Sequence, residues 1–278
     1  MRTVTLHPHR RPGVGRLCRA DVVSFPAMLR RVVLVAFLLL TCGCSQLASW
    51  LKGTPTPILP PEELYQIGEN EMGKRRYTEA RASFIKIVER HPNSSYAPRA
   101  RFLMGESYYR EAEFDKAVKE FETFMAFYPR HQIADLVQYW LAMSYYDRIK
   151  PIEQDQGLAQ KALEHFKKLV KEYPDSRYAN DSLAKIDICR GRLAQKEVWI
   201  ANYYLVNGNP SAARQRLEAV LRDYPHALVV PEALYMLADV KGREGKPSEA
   251  NDLLQRLSSE FPYTEWGRRA AQRLQAQR

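Results

Sequence analysis

Five prolines in this chain stand at the end of the same residue pattern. Each is preceded by an aromatic residue or a histidine, by a large apolar residue eight positions upstream and by an alanine twelve positions upstream. The prolines are Pro92, Pro129, Pro174, Pro225 and Pro262; the large residues are Phe84, Phe121, Phe166, Leu217 and Leu254; the alanines are Ala80, Ala117, Ala162, Ala213 and Ala250. Five recurrences at fixed offsets predict a stacked array of helical units, an architecture that favours binding over catalysis.

The segment before each proline is predicted to be an amphipathic helix. Ala117, Phe121, Phe124 and Tyr128 follow one another at spacings of three and four, which places them on one helical face. The proline ends the helix because it lacks an N–H and restricts the residue before it. Four polar residues near the helix starts are predicted N-caps, namely Thr78, Asp115, Ser211 and Ser248.

A second helix is predicted upstream of each of these segments. A small residue lies 24 positions before the proline in four units, as Gly68, Gly105, Ala201 or Ala238. A small side chain there lets two helices of a hairpin approach closely. This layout resembles the tetratricopeptide (TPR) repeat. The fold class that it predicts is an all-α solenoid of five TPR-like helical hairpins.

The unequal spacing of the prolines predicts where the array is irregular. Successive prolines are 37, 45, 51 and 37 residues apart. Compared with 37, the second interval has 8 additional residues, which fall between Tyr146 and Lys161, where Pro151 and Gly157 favour a loop. The third interval has 14 additional residues, within 181–194, and they contain no proline. We therefore expect about four extra turns of helix between repeats three and four.

These features predict one helical domain over residues 61–278. Its five repeats are expected at about 61–94, 96–131, 133–176, 191–227 and 230–264.

The residues before this domain are predicted to direct export. Arg30 and Arg31 precede a wholly apolar stretch over 32–40, and small residues follow it, so 28–43 is typical of a secretory signal. Residues 1–27 have no amphipathic pattern. Our hypothesis is that translation begins at Met28 and that 1–27 is a mis-assigned extension.

A cysteine directly after a small residue resembles the bacterial lipobox. That resemblance implies that Cys44 is the lipidated first residue of the mature protein; Cys42, which follows the bulkier Thr41, is the alternative. The proline-rich stretch over 44–60 is predicted to be a tether between the lipid and the first helix.

The basic character of the chain resides mostly in its export segment. The whole chain has a formal net charge of +10. Residues 1–43 contain seven arginines and one aspartate, so the remainder has a net charge of +4. The chain therefore loses the strong positive charge that would favour nucleic-acid binding, and we expect no nucleic-acid partner.

No motif in the chain favours an enzyme, a metal or a cofactor. The segment from Gly68 to Lys74 is similar to a phosphate-binding loop, but Arg75 stands where that motif needs Ser or Thr. The histidines are scattered without metal-ligand spacing. Cys189 is expected to be a small buried apolar residue. We predict a non-enzymatic protein without a cofactor.

A concave groove is the predicted binding surface. Tyr109 and Tyr146 recur beside the tyrosines that should pack inside the hairpins. In TPR proteins their positions line the concave surface, and that resemblance assigns five further residues to it, namely Tyr65, Glu69, Phe102, Glu106 and Met143. An aromatic groove with polar edges suits an extended peptide. Partial burial of the same rings is the other interpretation.

The mature chain as a whole resembles the BamD (ComL) family, lipoproteins of the outer-membrane β-barrel assembly machinery. The resemblance rests on the lipobox, the proline-rich tether, the five hairpins and the lengthened junction between repeats three and four. Local sequences agree with it, namely Tyr-Pro-Asp-Ser-Arg-Tyr at 173–178, Arg-Leu-Ala-x-x-Glu at 192–197 and Ala-x-Tyr-Tyr at 201–204.

The resemblance implies a location and partners. The protein is expected at the periplasmic face of the bacterial outer membrane, held there by its lipid. Its C-terminal repeats are expected to bind the periplasmic domains of a BamA-like barrel protein, with Arg192 and Glu197 in the contact region, together with other lipoproteins of the complex. Its N-terminal repeats are expected to bind the C-terminal segments of unfolded outer-membrane proteins.

Another envelope lipoprotein with TPR repeats is the rival interpretation. A pilotin for pilus secretin assembly and a Tol-Pal or cell-division coordinator have the same broad features. The irregular spacings and the fifth repeat argue against a regular pilotin array.

Overall fold

Each proline of the repeated pattern follows the end of a helix in the computed structural model, which describes residues 59–277. In this range all regular secondary structure is helical, with eleven α-helices and no strand. They are α1 (Pro61–Gly73), α2 (Tyr77–Arg90), α3 (Ala97–Arg110), α4 (Phe114–Phe127), α5 (Ala134–Tyr146), α6 (Gly157–Glu172), α7 (Ala179–Val206), α8 (Pro210–Asp223), α9 (Val230–Arg243), α10 (Pro247–Glu260) and α11 (Glu265–Gln275).

The helices form five TPR-like hairpins, which confirms the predicted fold class. The pairs are α1 with α2, α3 with α4, α5 with α6, the second half of α7 with α8, and α9 with α10. Each helix packs on its neighbours along the chain, as in a solenoid, and α11 packs on α10 at the C-terminal end. The extension predicted between repeats three and four is the first half of α7, so it continues into repeat four without a break.

The residue before each proline has the same backbone conformation in all five repeats. His91, Tyr128, Tyr173, Tyr224 and Phe261 are the C-caps of their helices, with φ between −133° and −130°. A following proline disfavours the helical conformation in the residue before it. The repeated aromatic–proline pair therefore sets the end of the second helix of every hairpin.

In four hairpins, the residue 17 positions before the proline has a left-handed backbone conformation and lies in the turn between the two helices. This residue is Arg75, Ala112, Gly208 or Gly245, with φ of 60°, 58°, 73° and 76° in that order. The turn is tight, so the next helix begins two residues later. The third repeat instead has a ten-residue loop, 147–156, between α5 and α6, where the sequence predicts a loop.

The predicted N-caps are wrong because the helices begin earlier than the polar residues suggest. Thr78, Asp115, Ser211 and Ser248 are each the second residue of a helix. The actual N-cap positions hold Arg76, Glu113, Asn209 and Lys246, and of these Asn209 alone accepts a hydrogen bond through its side chain, from the amide of Ala212. The tight turn determines these helix starts more strongly than side-chain capping does.

Glycine allows the first two hairpins to close around phenylalanine. A Cβ atom added to Gly68 would lie 2.3 Å from the ring of Phe84, and one added to Gly105 would lie 2.4 Å from the ring of Phe121. Both rings are fully buried. The small residue in the first helix and the large residue in the second thus fill one shared space.

The long helix α7 belongs to two hydrophobic cores. Ile186 and Cys189 in its first half pack with repeats two and three, whereas Ala194, Val198 and Ala201 in its second half pack with α8 and α9. The buried residues of the second half lie on a helix face rotated by about 100° from the buried face of the first half, which is the rotation that one residue produces. Repeats four and five consequently have a core of their own.

Cys189 is fully buried within the first of these cores. Burial raises the pKa of its thiol to about 11, so the thiol is neutral at physiological pH. This confirms the expected role as a small apolar residue.

The export and anchoring predictions fall outside the described residues. Cys44, the segments 1–27 and 28–43, and the tether before Leu59 all precede the described range. Within 59–277, every helix is too short or too polar to cross a membrane.

Candidate partner-binding site

A continuous run of aromatic rings links repeat two, repeat three and the start of α7. Tyr109 of α3 lies edge-on to Phe114, with ring centroids 5.3 Å apart, and to Trp140 of α5, at 4.6 Å. Trp140 contacts Tyr139 at 6.4 Å, and Tyr139 stacks on Tyr178 at 4.8 Å. The rings come from helices that are neighbours in the solenoid. They form a connected series of half-buried rings that includes the groove candidate Tyr109, and we call these five residues the aromatic run.

The tyrosine hydroxyls of the aromatic run join successive repeats. The hydroxyl of Tyr109 donates to the carboxylate of Asp147, directly after α5, and the hydroxyl of Tyr139 donates to Asp181 of α7 at 2.8 Å. Burial, followed by the hydrogen bond to the carboxylate, raises the pKa of both phenols well above the usual value. Both tyrosines are therefore neutral donors whose hydroxyls are already used, so the exposed parts of these half-buried rings offer apolar contact only.

Two residues assigned to the groove by sequence are core residues. Tyr65 and Phe102 are each only 7 % exposed. The ring of Tyr65 lies 5.1 Å from that of Tyr96, and the ring of Phe102 lies 6.1 Å from that of Phe121. The repeat was located correctly, but neighbouring helices cover both side chains. We therefore remove both residues from the set that can contact a ligand.

The remaining groove candidates are engaged in different ways. Glu69 accepts a hydrogen bond from the hydroxyl of Tyr65 at 2.8 Å, and Glu106 holds Arg110 in an ion pair of 2.6 Å. Met143 and Tyr146 are half-buried beside the core of repeats two and three. Tyr146 also lies under the ammonium group of Lys185, 4.6 Å from the ring centroid. Tyr109 is the candidate that the fold joins to the aromatic run.

Sequence reasoning missed Tyr139, Trp140 and Tyr178. For Tyr139 a signal was present, because it stands three residues before the small residue Ala142, the offset at which Tyr65 and Phe102 were chosen. Tyr178 lies four residues after Pro174, an offset at which every repeat has a large apolar residue, so a signal was present for it too. Trp140 takes part because the next repeat brings it to Tyr109, a tertiary contact that offsets within one repeat do not predict.

Arg192 and Lys196 bind the inserted loop of repeat three. The guanidinium of Arg192 donates to the carbonyl of Lys150 at 2.7 Å. Lys196 donates to the carbonyls of Ile152 and Glu153 at 2.8 Å and 3.1 Å. The two insertions that make the array irregular, loop 147–156 and the first half of α7, are thus joined to each other.

Gln156 organises the same loop from within. Its side chain is 6 % exposed, and its amide nitrogen lies within 3.2 Å of the carbonyls of Lys150, Pro151 and Gln154. Buried polar groups of this kind hold a loop in one conformation. The backbone carbonyls of loop 147–156 therefore accept hydrogen bonds both from Gln156 within the loop and from Arg192 and Lys196 of α7.

Glu197 lies on a different side of α7 from the loop contact. Its carboxylate forms an ion pair of 3.0 Å with Arg216 of α8. Both residues border a surface cavity of about 360 Å³, which Asp223 and Tyr224 also line. Arg192 and Glu197 are consequently near each other along the chain but belong to separate contacts.

Comparison with known proteins identifies relatives of the chain. Residues 58–257 match the family YfiO, described as "Outer membrane lipoprotein". An outer membrane protein assembly factor BamD from Caulobacter vibrioides is 30% identical over 244 residues, covering 87% of this chain and 78% of the relative. The BamD protein of Rickettsia prowazekii is also 30% identical, covering 75% and 83%. A solved TPR protein from Thermus thermophilus is 17% identical with a TM-score of 0.35, covering 77% of this chain and 99% of that one.

Proposed function

The chain belongs to the BamD family of outer membrane protein assembly factors, and from this premise we propose that it is a non-enzymatic scaffold of the β-barrel assembly machinery. It associates with the outer membrane and promotes the folding and insertion of barrel proteins. Burial of apolar surface and shape fit supply the binding free energy, so the scaffold needs no cofactor and no reacting group.

The aromatic run is the observation that carries the substrate part of this proposal. The hydroxyls of Tyr109 and Tyr139 are bound to Asp147 and Asp181, so these half-buried rings offer a ligand apolar contact rather than hydrogen bonds. An extended segment with alternating apolar side chains can lay those side chains against such rings. The C-terminal segments of unfolded outer-membrane proteins, which end in an aromatic residue, are the proposed ligands.

The C-terminal repeats are the proposed contact for the periplasmic domains of a BamA-like protein. Repeats four and five have a hydrophobic core separate from that of repeats two and three. A partner bound there leaves the aromatic run accessible. Arg192 and Glu197 belong to this contact region; Arg192 contributes by holding loop 147–156 and Glu197 by its ion pair with Arg216.

Lipidation at Cys44 and the tether over 44–60 are the proposed link to the periplasmic face of the outer membrane. A proline-rich tether of this length would keep the repeats near the membrane without embedding them. Other lipoproteins of the complex, anchored in the same membrane, can then bind the domain at the periplasmic face.

Affinity purification from detergent-solubilised envelopes tests the scaffold role. We expect the tagged protein to bring down the barrel-forming subunit of the organism in stoichiometric amount. A tagged envelope lipoprotein of unrelated function serves as the control. Recovery of a secretin or of cell-division proteins in place of the barrel subunit would contradict the proposal in favour of the rival class.

Peptide binding tests the groove. The probe is a synthetic peptide with the sequence of a C-terminal barrel strand that ends in phenylalanine. We expect Tyr109→Ala combined with Tyr146→Ala to weaken binding about tenfold, as the loss of an aromatic anchor does. Tyr109→Phe should bind almost as well as the wild type, because it keeps the ring and loses only the bond to Asp147.

Tyr263→Ala is the matched control for the peptide experiment. This tyrosine is 92% exposed and lies in the turn after the last proline, away from the aromatic run. Equal affinity of the wild type and the double variant, with both folded by circular dichroism, would refute the groove assignment.

A further inference from the structure

The two helices of every hairpin carry one matching pair of positions, which we call the cross-hairpin pair. The first position lies four residues before the small residue of the first helix, and the second lies one residue before the large residue of the second helix. In repeats two and four the pair is an ion pair of 3.0 Å between an arginine and a glutamate. The pairs in chain order are Leu64 with Ser83, Arg101 with Glu120, Gln138 with His165, Glu197 with Arg216, and Leu234 with Leu253.

The pair of repeat three is joined by hydrogen bonds from a fully buried amide. The side-chain nitrogen of Gln138 lies 3.0 Å from the carbonyl oxygen of His165 and 3.2 Å from the ring atom Nδ1 of the same residue. A carbonyl oxygen can only accept, so the amide turns its NH2 group towards His165. The two hydrogens of that group match the two acceptors, and Nδ1 accepts only when the imidazole is neutral with its proton on Nε2. Gln138 therefore holds His165 in one neutral tautomer.

A second proton on the imidazole disrupts this arrangement. A proton on Nδ1 makes that atom a donor, which then faces the donor NH2 group of Gln138. Turning the amide over brings its Oε1 to the Nδ1–H group, but it also sets Oε1 against the carbonyl oxygen of His165. Within residues 59–277 this Oε1 is buried and has no hydrogen-bond partner, so the two acceptors of His165 alone hold the amide. Protonation therefore removes at least one hydrogen bond from a buried amide, which destabilises the hairpin.

The surroundings of the ring also favour the neutral imidazole. The ring of His165 stacks on that of Tyr145 from α5, with centroids 5.3 Å apart and planes inclined by 11°. Burial is the largest cause that lowers the pKa of His165, and the positive charge of Lys168 is the next. Lys161 acts in the same direction and Glu164 opposes it, both from α6 itself. From the two helices that pack on α6, the described residues contribute the phenol of Tyr145 in α5 and no charged group of α7.

We propose that Gln138 and His165 form a proton-sensitive latch, which holds the hairpin of repeat three closed at neutral pH and loosens it when the imidazole takes up a proton. The latch is particular to repeat three, because the other cross-hairpin pairs contain no histidine, the side chain whose charge changes near neutral pH. Tyr139 and Trp140 follow Gln138 directly in α5, so the loosening acts on the aromatic run. This inference goes beyond the proposed function and does not depend on which ligand the groove binds.

Titration of the full mature chain tests the latch. Because the folded chain binds the second proton on His165 less tightly than the unfolded chain, this contribution to stability is fully present above about pH 6.5 and decreases as the pH falls below it. We expect the imidazole resonances of His165 to titrate below about pH 6.5 in NMR spectra. Hydrogen-exchange protection factors in α5 and α6 should decrease severalfold between about pH 7 and pH 5, while those in α9 and α10 change less.

Two exchanges copy the cross-hairpin pairs of other repeats. Gln138→Glu reproduces the order of acid and base in repeat four, so it should raise the pKa of His165 and make protection in α5 and α6 increase as the pH falls. Gln138→Leu combined with His165→Leu reproduces the apolar pair of repeat five and should remove the pH dependence. The matched control is His226→Gln, at an exposed histidine in the turn after Pro225, and it should behave as the wild type.

Each measurement can overturn the latch without touching the scaffold role. A wild-type His165 that titrates at or above about pH 6.5 would show that the folded hairpin does not prefer the neutral imidazole. Acid-dependent loss of protection that the leucine pair retains would place the sensitive group elsewhere. An equal loss in repeat three and repeat five would make the effect a property of the whole array. If one variant does not fold, the wild-type titration and the other variant still decide.

Discussion

The first two repeats and the last two form the same hairpin with different residues at its closest approach. In repeats one and two, Gly68 and Gly105 lie against fully buried phenylalanine rings. In repeats four and five, the same position holds Ala201 or Ala238, and the large residue is Leu217 or Leu254. A smaller residue in the first helix is combined with a larger one in the second, so the two side chains together fill a similar volume in all four repeats. Volume at the crossing, rather than any one residue type, is the constraint.

The tight turns show the reverse distribution of glycine: repeats four and five have it there, and repeats one and two do not. Gly208 and Gly245 occupy the left-handed turn position in repeats four and five, where φ is 73° and 76°. Repeats one and two have Arg75 and Ala112 there, although side chains are strained at positive φ. Each half of the array thus uses glycine at one of the two positions where the hairpin favours it.

The two halves also share an ion pair that the central junction lacks. Arg81, in the second helix of repeat one, pairs with Glu111 in repeat two, and Arg214 pairs with Glu244 at the matching positions of repeats four and five. At the junction of repeats three and four these positions hold Leu163 and Asn207. The contacts around the extension are instead those of Arg192 and Lys196 with backbone carbonyls. The irregular junction is therefore held by its own set of interactions.

Exchanging the small–large pair between halves should produce the largest effect on stability. Gly105→Ala places a Cβ atom against the Phe121 ring, which is buried and cannot move away easily. We expect a loss of about 2 kcal/mol in the free energy of unfolding, since overpacking outweighs the better helix propensity of alanine. Phe121→Leu alone should cost a similar amount by leaving a cavity. Urea unfolding measures both.

The double variant with Gly105→Ala and Phe121→Leu tests whether volume is shared. It reproduces the alanine–leucine pair of repeats four and five, so it should lose less stability than the two single variants together. Ala82→Gly, at an exposed position of α2, controls for backbone effects of glycine exchange. Strict additivity of the two single losses would contradict the shared-volume explanation.

The fold was predictable from sequence because residues that restrict the backbone determine where the helices of each repeat end. Proline after an aromatic residue sets the helix end in all five repeats, and the extra 8 and 14 residues locate the loop and the extension. Periodicity alone could not predict that the extension continues into the next helix, because continuity depends on which core each half of α7 meets. The helix starts were misplaced because the turn, rather than a capping side chain, determines them.

The site was less predictable than the fold. Tyr109 was identified, but Tyr65 and Phe102 were assigned to the groove although neighbouring helices bury them. Trp140 joins the aromatic run through contact with a different repeat, and Arg192 proved to bind the loop inserted 42 residues earlier. Burial and contacts between repeats depend on superhelical geometry, which residue offsets within one repeat do not contain.

Exchanging the turn residue should have a smaller effect, of opposite sign in the two halves. Ala112→Gly relieves a side chain held at φ of 58°, and Gly208→Ala introduces one at φ of 73°. A left-handed alanine costs about 1 kcal/mol or more relative to glycine, and glycine loses somewhat more entropy on folding. We therefore expect Ala112→Gly to raise the free energy of unfolding by about 0.5 kcal/mol and Gly208→Ala to lower it by a similar amount.

Hydrogen exchange measures where each substitution acts. Ala112→Gly should change the protection of amides in α3 and α4, and Gly208→Ala that of amides in α7 and α8. Both turn positions are exposed and nothing lies near a Cβ added at Gly208, so packing does not enter the comparison. Gly73→Ala, an exposed helical glycine with open space around it, is the control for a general preference for alanine over glycine. It should stabilise the chain, whereas Gly208→Ala should destabilise it. The same sign for both would mean that the left-handed turn does not restrict the residue at this position, and the two halves would then differ only at the helix crossing.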